Sequence, residues 1–495
     1  MNPLIYGKNN LTRIVCIEPR DSTAEIFREM EDGSIVTETV PCSYYILYAE
    51  PLSDKFKRLK GNQPYRYMYE TVSREKFEDV LAKSYKKRYD LFVVRDPKEA
   101  LMVKDGYTYF KGMKVEDVSV LSFDIETNGV KFDSNSKVFT IANAFRKQGK
   151  LIKKLFSVDE YPDQESMIDS WCDWVREIDP SVMVGHNVFG FDLPYLEHCS
   201  RNGLKLGRDG SRIEFAKKPS LFRKDGSQTY DYFNAHIYGR EIVDTFFLAI
   251  KYDIARNYES YNLKQIIKQE GLEKKDRQHY DASKIAQDWA DPDKRKKIKA
   301  YNIDDADDAL KLYDLMIPSF FYYTQSIPRS FQHVINSATG SQINSLMVRA
   351  YLQQGHSIAR GSPAVEYEGA ISFGIPGIHK NVLRFDVASL YPSVIEQYEI
   401  YPKNKDPKAY FLEMVREFRK ERLKNKALGK ETGDRYYKDL EQSQKIAINS
   451  MYGFLGAPKL NYNYPEGAAE VTRHGRRILK QAILWATGKE FDEAS

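Results

Sequence analysis

Two carboxylates separated by one residue open the chemistry of this chain. In Phe123-Asp124-Ile125-Glu126-Thr127 both acids close an apolar run. On a strand that spacing points Asp124 and Glu126 to the same face. Two acids on one face repel each other, and desolvating them together is costly unless a cation lies between them. A third acid, Asp192, follows the turn Gly185-His186-Asn187-Val188-Phe189-Gly190-Phe191. A fourth stands in Tyr301-Asn302-Ile303-Asp304-Asp305, where Tyr301 and Asp305 are four residues apart and share a helix face. Each piece alone could be a surface acid or a helix cap. A second group begins at Asp386, which ends another apolar run and precedes Ser389, Leu390, Tyr391 and Pro392. Beyond it, Lys445, Asn449 and Tyr452 recur at i, i+4 and i+7 on one helix face, with Gly453 next in line.

These residues need elements to hold them. Residues 118–125 read as a buried strand, residues 166–178 as an amphipathic helix, residues 182–184 as a short strand and residues 297–316 as a long helix bearing several carboxylates. An α/β layer with acids at strand ends is expected over 106–330. Before it, residues 1–105 mix strand and helix (43–48 and 90–94 extended, 74–87 helical) and carry no motif with chemistry. Residues 332–354 are expected to be one helix, and 361–380, rich in Gly and Pro, a linker. Residues 382–386 are expected to be a strand ending in a turn at Tyr391–Pro392. Two long helices over 407–428 and 436–452 flank a GKETGD turn, and a last helix covers 475–487.

The bulk numbers agree with several packed domains. At 495 residues, 42% hydrophobic and 13% aromatic, the chain is neither disordered nor a coiled coil. A net charge of +5 says little about nucleic acid, but Arg416–Lys430 holds seven basic residues against two acidic ones. That segment alone matches the charge of the whole chain, as a phosphate contact or as a solvated helix face. Cys16, Cys42, Cys172 and Cys199 show no metal-ligand spacing, which implies reduced, packed thiols. No apolar run reaches the roughly 18 residues of a membrane span, so a soluble, cytoplasmic protein is expected (host cytoplasm if the source is viral).

In their order along the chain, the first four acids and Tyr301 resemble the three motifs of DnaQ-like 3′→5′ exonucleases. The resemblance implies that Asp124, Glu126, Asp192 and Asp305 bind two divalent cations, Mg²⁺ by the all-oxygen set with Mn²⁺ able to substitute. It further implies that Tyr301 positions the attacking water and Asn187 touches the displaced strand. Exposed helix acids are the expectation for Asp304, Asp307 and Asp308, and a structural or substrate-contacting role for His186.

The second group resembles family B DNA polymerases, with Asp386-Val387-Ala388-Ser389-Leu390-Tyr391-Pro392-Ser393 as motif A and Lys445 to Gly453 (KIAINSMYG) as motif B. By that resemblance Asp386 binds both catalytic metals, and Ser389 and Leu390 lie by the triphosphate. Tyr391 packs under the sugar, Lys445 contacts the triphosphate, and Asn449 and Tyr452 line the nascent pair. Arg416 and Lys420 are the further triphosphate contacts expected on the basic helix. Tyr367-Glu368-Gly369-Ala370 resembles the family's template-contacting linker motif, which assigns Tyr367 and Gly369 to DNA, while motif B assigns Tyr452 and Gly453 to it.

The implied fold is α/β and α+β multidomain. It comprises an N-terminal domain (1–105), an RNase H-like exonuclease (106–330), a return linker (331–375), a first palm part (376–400), fingers (401–455) and palm re-entry (456–495). The family's second palm carboxylate lies in a YGDTDS hairpin, and no such sequence occurs here. Synthesis is therefore expected to need that motif and the thumb from elsewhere: from a second polypeptide, as in split, phage-like enzymes, or from the rest of a longer protein of which this sequence is a truncated piece. Primer–template and single-stranded DNA, deoxynucleoside triphosphates and a sliding clamp complete the expected partners. A stand-alone exonuclease with a DNA-gripping polymerase remnant, or a non-catalytic DNA-binding or assembly module, are the competing readings.

Overall fold

The computed structural model describes residues 2–223, 229–372, 374, 376–384, 386, 387 and 389–491. Its N-terminal part holds two sheets. One is an antiparallel three-stranded sheet of Ile14–Arg20, Thr23–Glu29 and Ile35–Pro41. In the other, Tyr44–Tyr48 lies between Tyr67–Thr71 and Leu91–Phe92. The helix Arg74–Lys86 packs beside them, capped by the Ser73 side chain.

A five-stranded sheet carries the first group of acids. Its order is Lys150–Ser157, Val138–Lys147, Val120–Thr127, Val182–Gly185, Glu241–Asp244. The first three strands run antiparallel, while Val182–Gly185 lies parallel to both of its neighbours. A parallel return needs a crossover, and the helix Gln164–Ile178 supplies it, begun by the Asp163 carboxylate accepting from the Ser166 N–H at 2.7 Å. Trp171 of that helix is fully buried against Phe123, with its Nε1–H donated to Asn143 Oδ1 at 2.9 Å. The helix Pro292–Thr324 crosses the sheet and is far longer than the sequence pattern outlined. Its start is set by the Asp291 cap and by Pro292, whose missing N–H is harmless in a first turn.

Beyond residue 330 three expectations fail. The single helix over 332–354 is two, Phe331–Asn336 and Thr339–Leu352. Ser337 separates them in an extended conformation, its hydroxyl donating to the His333 carbonyl at 2.6 Å. The strand expected over 382–386 is not formed among the described residues, and Phe385 and Ala388 lie outside them. A strand is held only by its neighbours' backbone groups, and no described strand pairs with this segment. Tyr391 and Pro392 are not a turn but part of the helix Leu390–Gln397, where proline is tolerated in the first turn. The helices Tyr410–Thr432 and Arg435–Gly456 form a hairpin, turned at Gly433 in left-handed backbone and restarted by the Asp434 cap. The helix Pro465–Thr487 packs against Arg435–Gly456 and against Leu390–Gln397. No described helix is long and apolar enough to cross a membrane, and the four cysteines are buried and unpaired.

Candidate active site

Asp124 and Glu126 project from the central strand Val120–Thr127, and Asp305 faces them from the helix Pro292–Thr324. One carboxylate oxygen from each lies within 4.8 Å of the other two. Asp192, the first residue of the helix Asp192–Cys199, is buried beside this trio but outside it. Its carboxyl group accepts hydrogen bonds from its own N–H and that of Ile125.

The electrostatics follow from that crowding. Burial, then the charge of Asp305, pushes Glu126 up to about 8. Burial together with Asp305, Asp192 and Glu126 drives Asp124 well above the carboxylate range. Asp192 is pushed up to about 7, chiefly by burial. Burial also raises Asp305, against the opposing pull of Lys264 and Arg277. Three hard oxygen donors converging in a largely buried pocket, each disfavoured as an anion by the others, are a donor set that fits divalent cations of the Mg²⁺ kind.

Several positioning residues escaped the sequence reading. Asn302 is fully buried and donates from Nδ2 to Asp124 Oδ2 at 2.7 Å, while Thr140 donates to Asn302 Oδ1 at 2.8 Å. Its signal was a polar residue in the buried stripe Ile298, Asn302, Asp305, Ala309. Arg277 is almost fully enclosed and ion-paired to both Asp305 and Asp308. Lys264 hydrogen-bonds the Tyr301 hydroxyl and lies 3.7 Å from Asp305 Oδ2. Asp244 organises the turn before Asp192: its carboxylate accepts from the N–H groups of Asn187 (2.7 Å), Phe189 (3.3 Å) and Phe246 (2.9 Å). Asn187 itself is exposed with φ 67°, a left-handed conformation that asparagine adopts more readily than most residues. His186 is enclosed between Thr245 Oγ1 and the Tyr261 carbonyl, both at 2.9 Å, and burial pushes it down to about 4, a neutral structural role.

Asp304, Asp307 and Asp308 are not the exposed acids expected from the sequence. All three are buried, because this part of the helix is covered on more than its sheet face. Asp304 pairs with Lys274 at 2.5 Å, Asp307 with Lys153 at 2.8 Å, and Asp308 with Arg277 at 2.7 Å. A buried acid with its own cation is satisfied without a metal. Among the described residues no ion pair reaches Asp124 or Glu126, whereas Asp305 pairs with Arg277 and Lys264 and still turns an oxygen towards them.

The second group is looser. Asp386 is exposed in an irregular segment. Ser389 has φ 53°, and its hydroxyl accepts from Arg422 Nη1 at 2.6 Å. Arg422 also pairs with Glu441 at 2.8 Å, so this arginine, not Arg416 or Lys420, bridges motif A to the helix bearing motif B. Arg416 is drawn instead to Glu399 at 3.0 Å, and Lys420 is exposed. The Tyr391 and Tyr452 rings meet at 4.4 Å between centroids, and Tyr452 hydrogen-bonds Tyr367. Lys445, Asn449 and Gly453 are exposed along one face of the helix Arg435–Gly456. Gly369 is exposed, its carbonyl accepting from Arg476 Nη1 at 2.6 Å, and an added Cβ would meet nothing within 4 Å. Nothing among the described residues therefore demands glycine there.

Residues 98–266 match the family model for the exonuclease domain of DNA polymerase family B. The wider chain is 27% identical over 414 residues to a DNA polymerase of Thermococcus sp. (strain 9oN-7), covering 74% of this chain and 51% of that protein. The DNA polymerase delta catalytic subunit of Schizosaccharomyces pombe is 25% identical over 439 residues, covering 74% and 39%. The family B DNA polymerase of Pyrobaculum calidifontis shares the fold, with a TM-score of 0.75 at 18% identity over 96% of this chain and 71% of that one. The chain spans about half the length of the curated relatives it matches.

Proposed function

We propose that this chain is the editing and nucleotide-selecting part of a family B DNA polymerase, and that its exonuclease domain hydrolyses DNA from the 3′ end by a two-metal mechanism. The observation that carries the proposal is the trio Asp124, Glu126 and Asp305, whose oxygens converge within 4.8 Å. These three would hold the ions, with Asp192 completing the set from its neighbouring position. Two Mg²⁺ ions, once bound, would activate a water and neutralise the leaving 3′ oxygen. Asn302 fixes the rotamer of Asp124. Tyr301, its phenol kept protonated by burial and by the acids around it, is suited to donate and accept at the attacking water. Asn187, exposed at the rim, is suited to touch the incoming strand.

In the polymerase part, Asp386 would supply one metal-binding carboxylate. Ser389, Leu390, Lys445, Arg416, Lys420 and Arg422 lie on the elements that would face the triphosphate, and Tyr391, its ring packed at a tilt against Tyr452, would exclude a 2′-hydroxyl. Tyr367, Gly369 and Gly453 would track template DNA. The second palm carboxylate would come from residues beyond this sequence, in a second polypeptide or a continuation of this one. The test is incubation of the purified chain with 5′-labelled single-stranded DNA and Mg²⁺. Stepwise shortening that EDTA abolishes, that Mn²⁺ restores and that Asp124→Ala removes is the expected result. Absence of shortening by the unaltered chain refutes the exonuclease assignment.

A further inference from the structure

Two cations reach Asp305, and they differ in kind. Arg277 has a side chain 1% exposed, with its Nε donated to Asp308 at 2.7 Å, so it is committed to the interior. Lys264 is 39% exposed and enters from solvent, on the second residue of the helix Leu263–Gln269, which the Asn262 side chain caps. Its ammonium group hydrogen-bonds the Tyr301 hydroxyl, lies 4.4 Å from the centre of that ring, and stops 3.7 Å short of Asp305 Oδ2. The last distance is an ion pair without a hydrogen bond. An ammonium has three donors, and only one is engaged by the tyrosine.

We propose that Lys264 is a substrate-contacting residue of this site: it donates to a non-bridging oxygen of the scissile phosphodiester while holding the Tyr301 hydroxyl in place. The inference rests on the exonuclease reading and deepens it by naming the cation that meets the DNA. Its geometry suits the task. A partly exposed ammonium beside the acid cluster is open to an anionic strand, whereas the Arg277 guanidinium is enclosed. The 3.7 Å ion pair to Asp305 engages no donor in a hydrogen bond, so donors of the ammonium remain for phosphate.

The test compares Lys264→Met, which keeps the aliphatic stem, with Lys264→Arg. Binding of a fluorescent single-stranded oligonucleotide is followed by anisotropy without divalent metal, Mn²⁺ affinity by electron paramagnetic resonance, and hydrolysis in single turnover. The expected result is that Lys264→Met weakens oligonucleotide binding and slows hydrolysis, each by about tenfold or more. Mn²⁺ should bind as tightly as before or tighter, and Lys264→Arg should recover most of both losses. Unchanged oligonucleotide binding and hydrolysis in Lys264→Met, or a loss explained by weaker Mn²⁺ binding, overturns the proposal. If the unaltered chain does not cut DNA, the exonuclease reading falls, while the anisotropy comparison still decides whether Lys264 contacts the strand.

Discussion

Replacing Glu126 by Gln should make the metal-free protein more stable at neutral and higher pH, the reverse of what loss of a buried polar group usually does. In the folded state burial and Asp305 raise Glu126 from 4.5 to about 8. A carboxyl group raised in this way favours the folded state at low pH, and that contribution is lost as pH rises from the unfolded value through the folded one. Every tenfold difference in proton affinity between the two states is worth about 1.4 kcal/mol. At pH 7 the penalty for deprotonation or forced protonation is about 3 kcal/mol, and at pH 5 it falls below about 1 kcal/mol. Glutamine removes the titration and keeps the shape, so Glu126→Gln should unfold at least about 5 °C higher than the unaltered chain at pH 8 in EDTA, given about 2–4 °C per kcal/mol for a domain of this size. The gap should shrink at pH 5. Adding Mg²⁺ should reverse the order, because binding stabilises the chain that keeps all its ligands by mass action. Thermal unfolding followed by circular dichroism at both pH values, with EDTA and with Mg²⁺, is sufficient. An unaltered or lower unfolding temperature for Glu126→Gln at pH 8 in EDTA would refute the picture of uncompensated, mutually repelling acids.

Two further outcomes follow from the supporting residues. Asn302→Ala frees the Asp124 carboxylate from its 2.7 Å donor and strands Thr140, so single-turnover hydrolysis should fall by about tenfold or more while the folded content by circular dichroism stays near that of the parent. Asp244→Ala leaves the N–H groups of Asn187, Phe189 and Phe246 without their acceptor inside the protein, and chemical denaturation should show a loss of about 2–4 kcal/mol together with weakened cutting.

Much of the exonuclease half was legible in the chain because its signals are local. Asp124 and Glu126 share a face by strand alternation, and Tyr301 and Asp305 share one by helical spacing, whatever surrounds them. The palm half was less legible. The apolar run before Asp386 has strand character, but a strand depends on a neighbour's backbone groups, and none of the described strands lies beside it. The spacing of Arg416 and Lys420 on a basic helix does not show that Glu399 pairs with Arg416 or that Arg422 meets Ser389. Composition along a helix does not tell which of seven basic residues finds an acid across the gap.

The amino-acid sequence by itself determined the order of the motifs, the residues capable of holding divalent metal, and the periodicities of the central strand and the long helix. These depend on side-chain type and on backbone repeats that every such segment obeys. Only the tertiary structure decided which acids converge and which are tied to cations elsewhere. Asp304 and Asp305 are adjacent in the chain, but Lys274 reaches the first and the acids of the central strand face the second. A carboxylate's role depends on the charges within a few ångströms of it, and those charges come from segments far away along the chain.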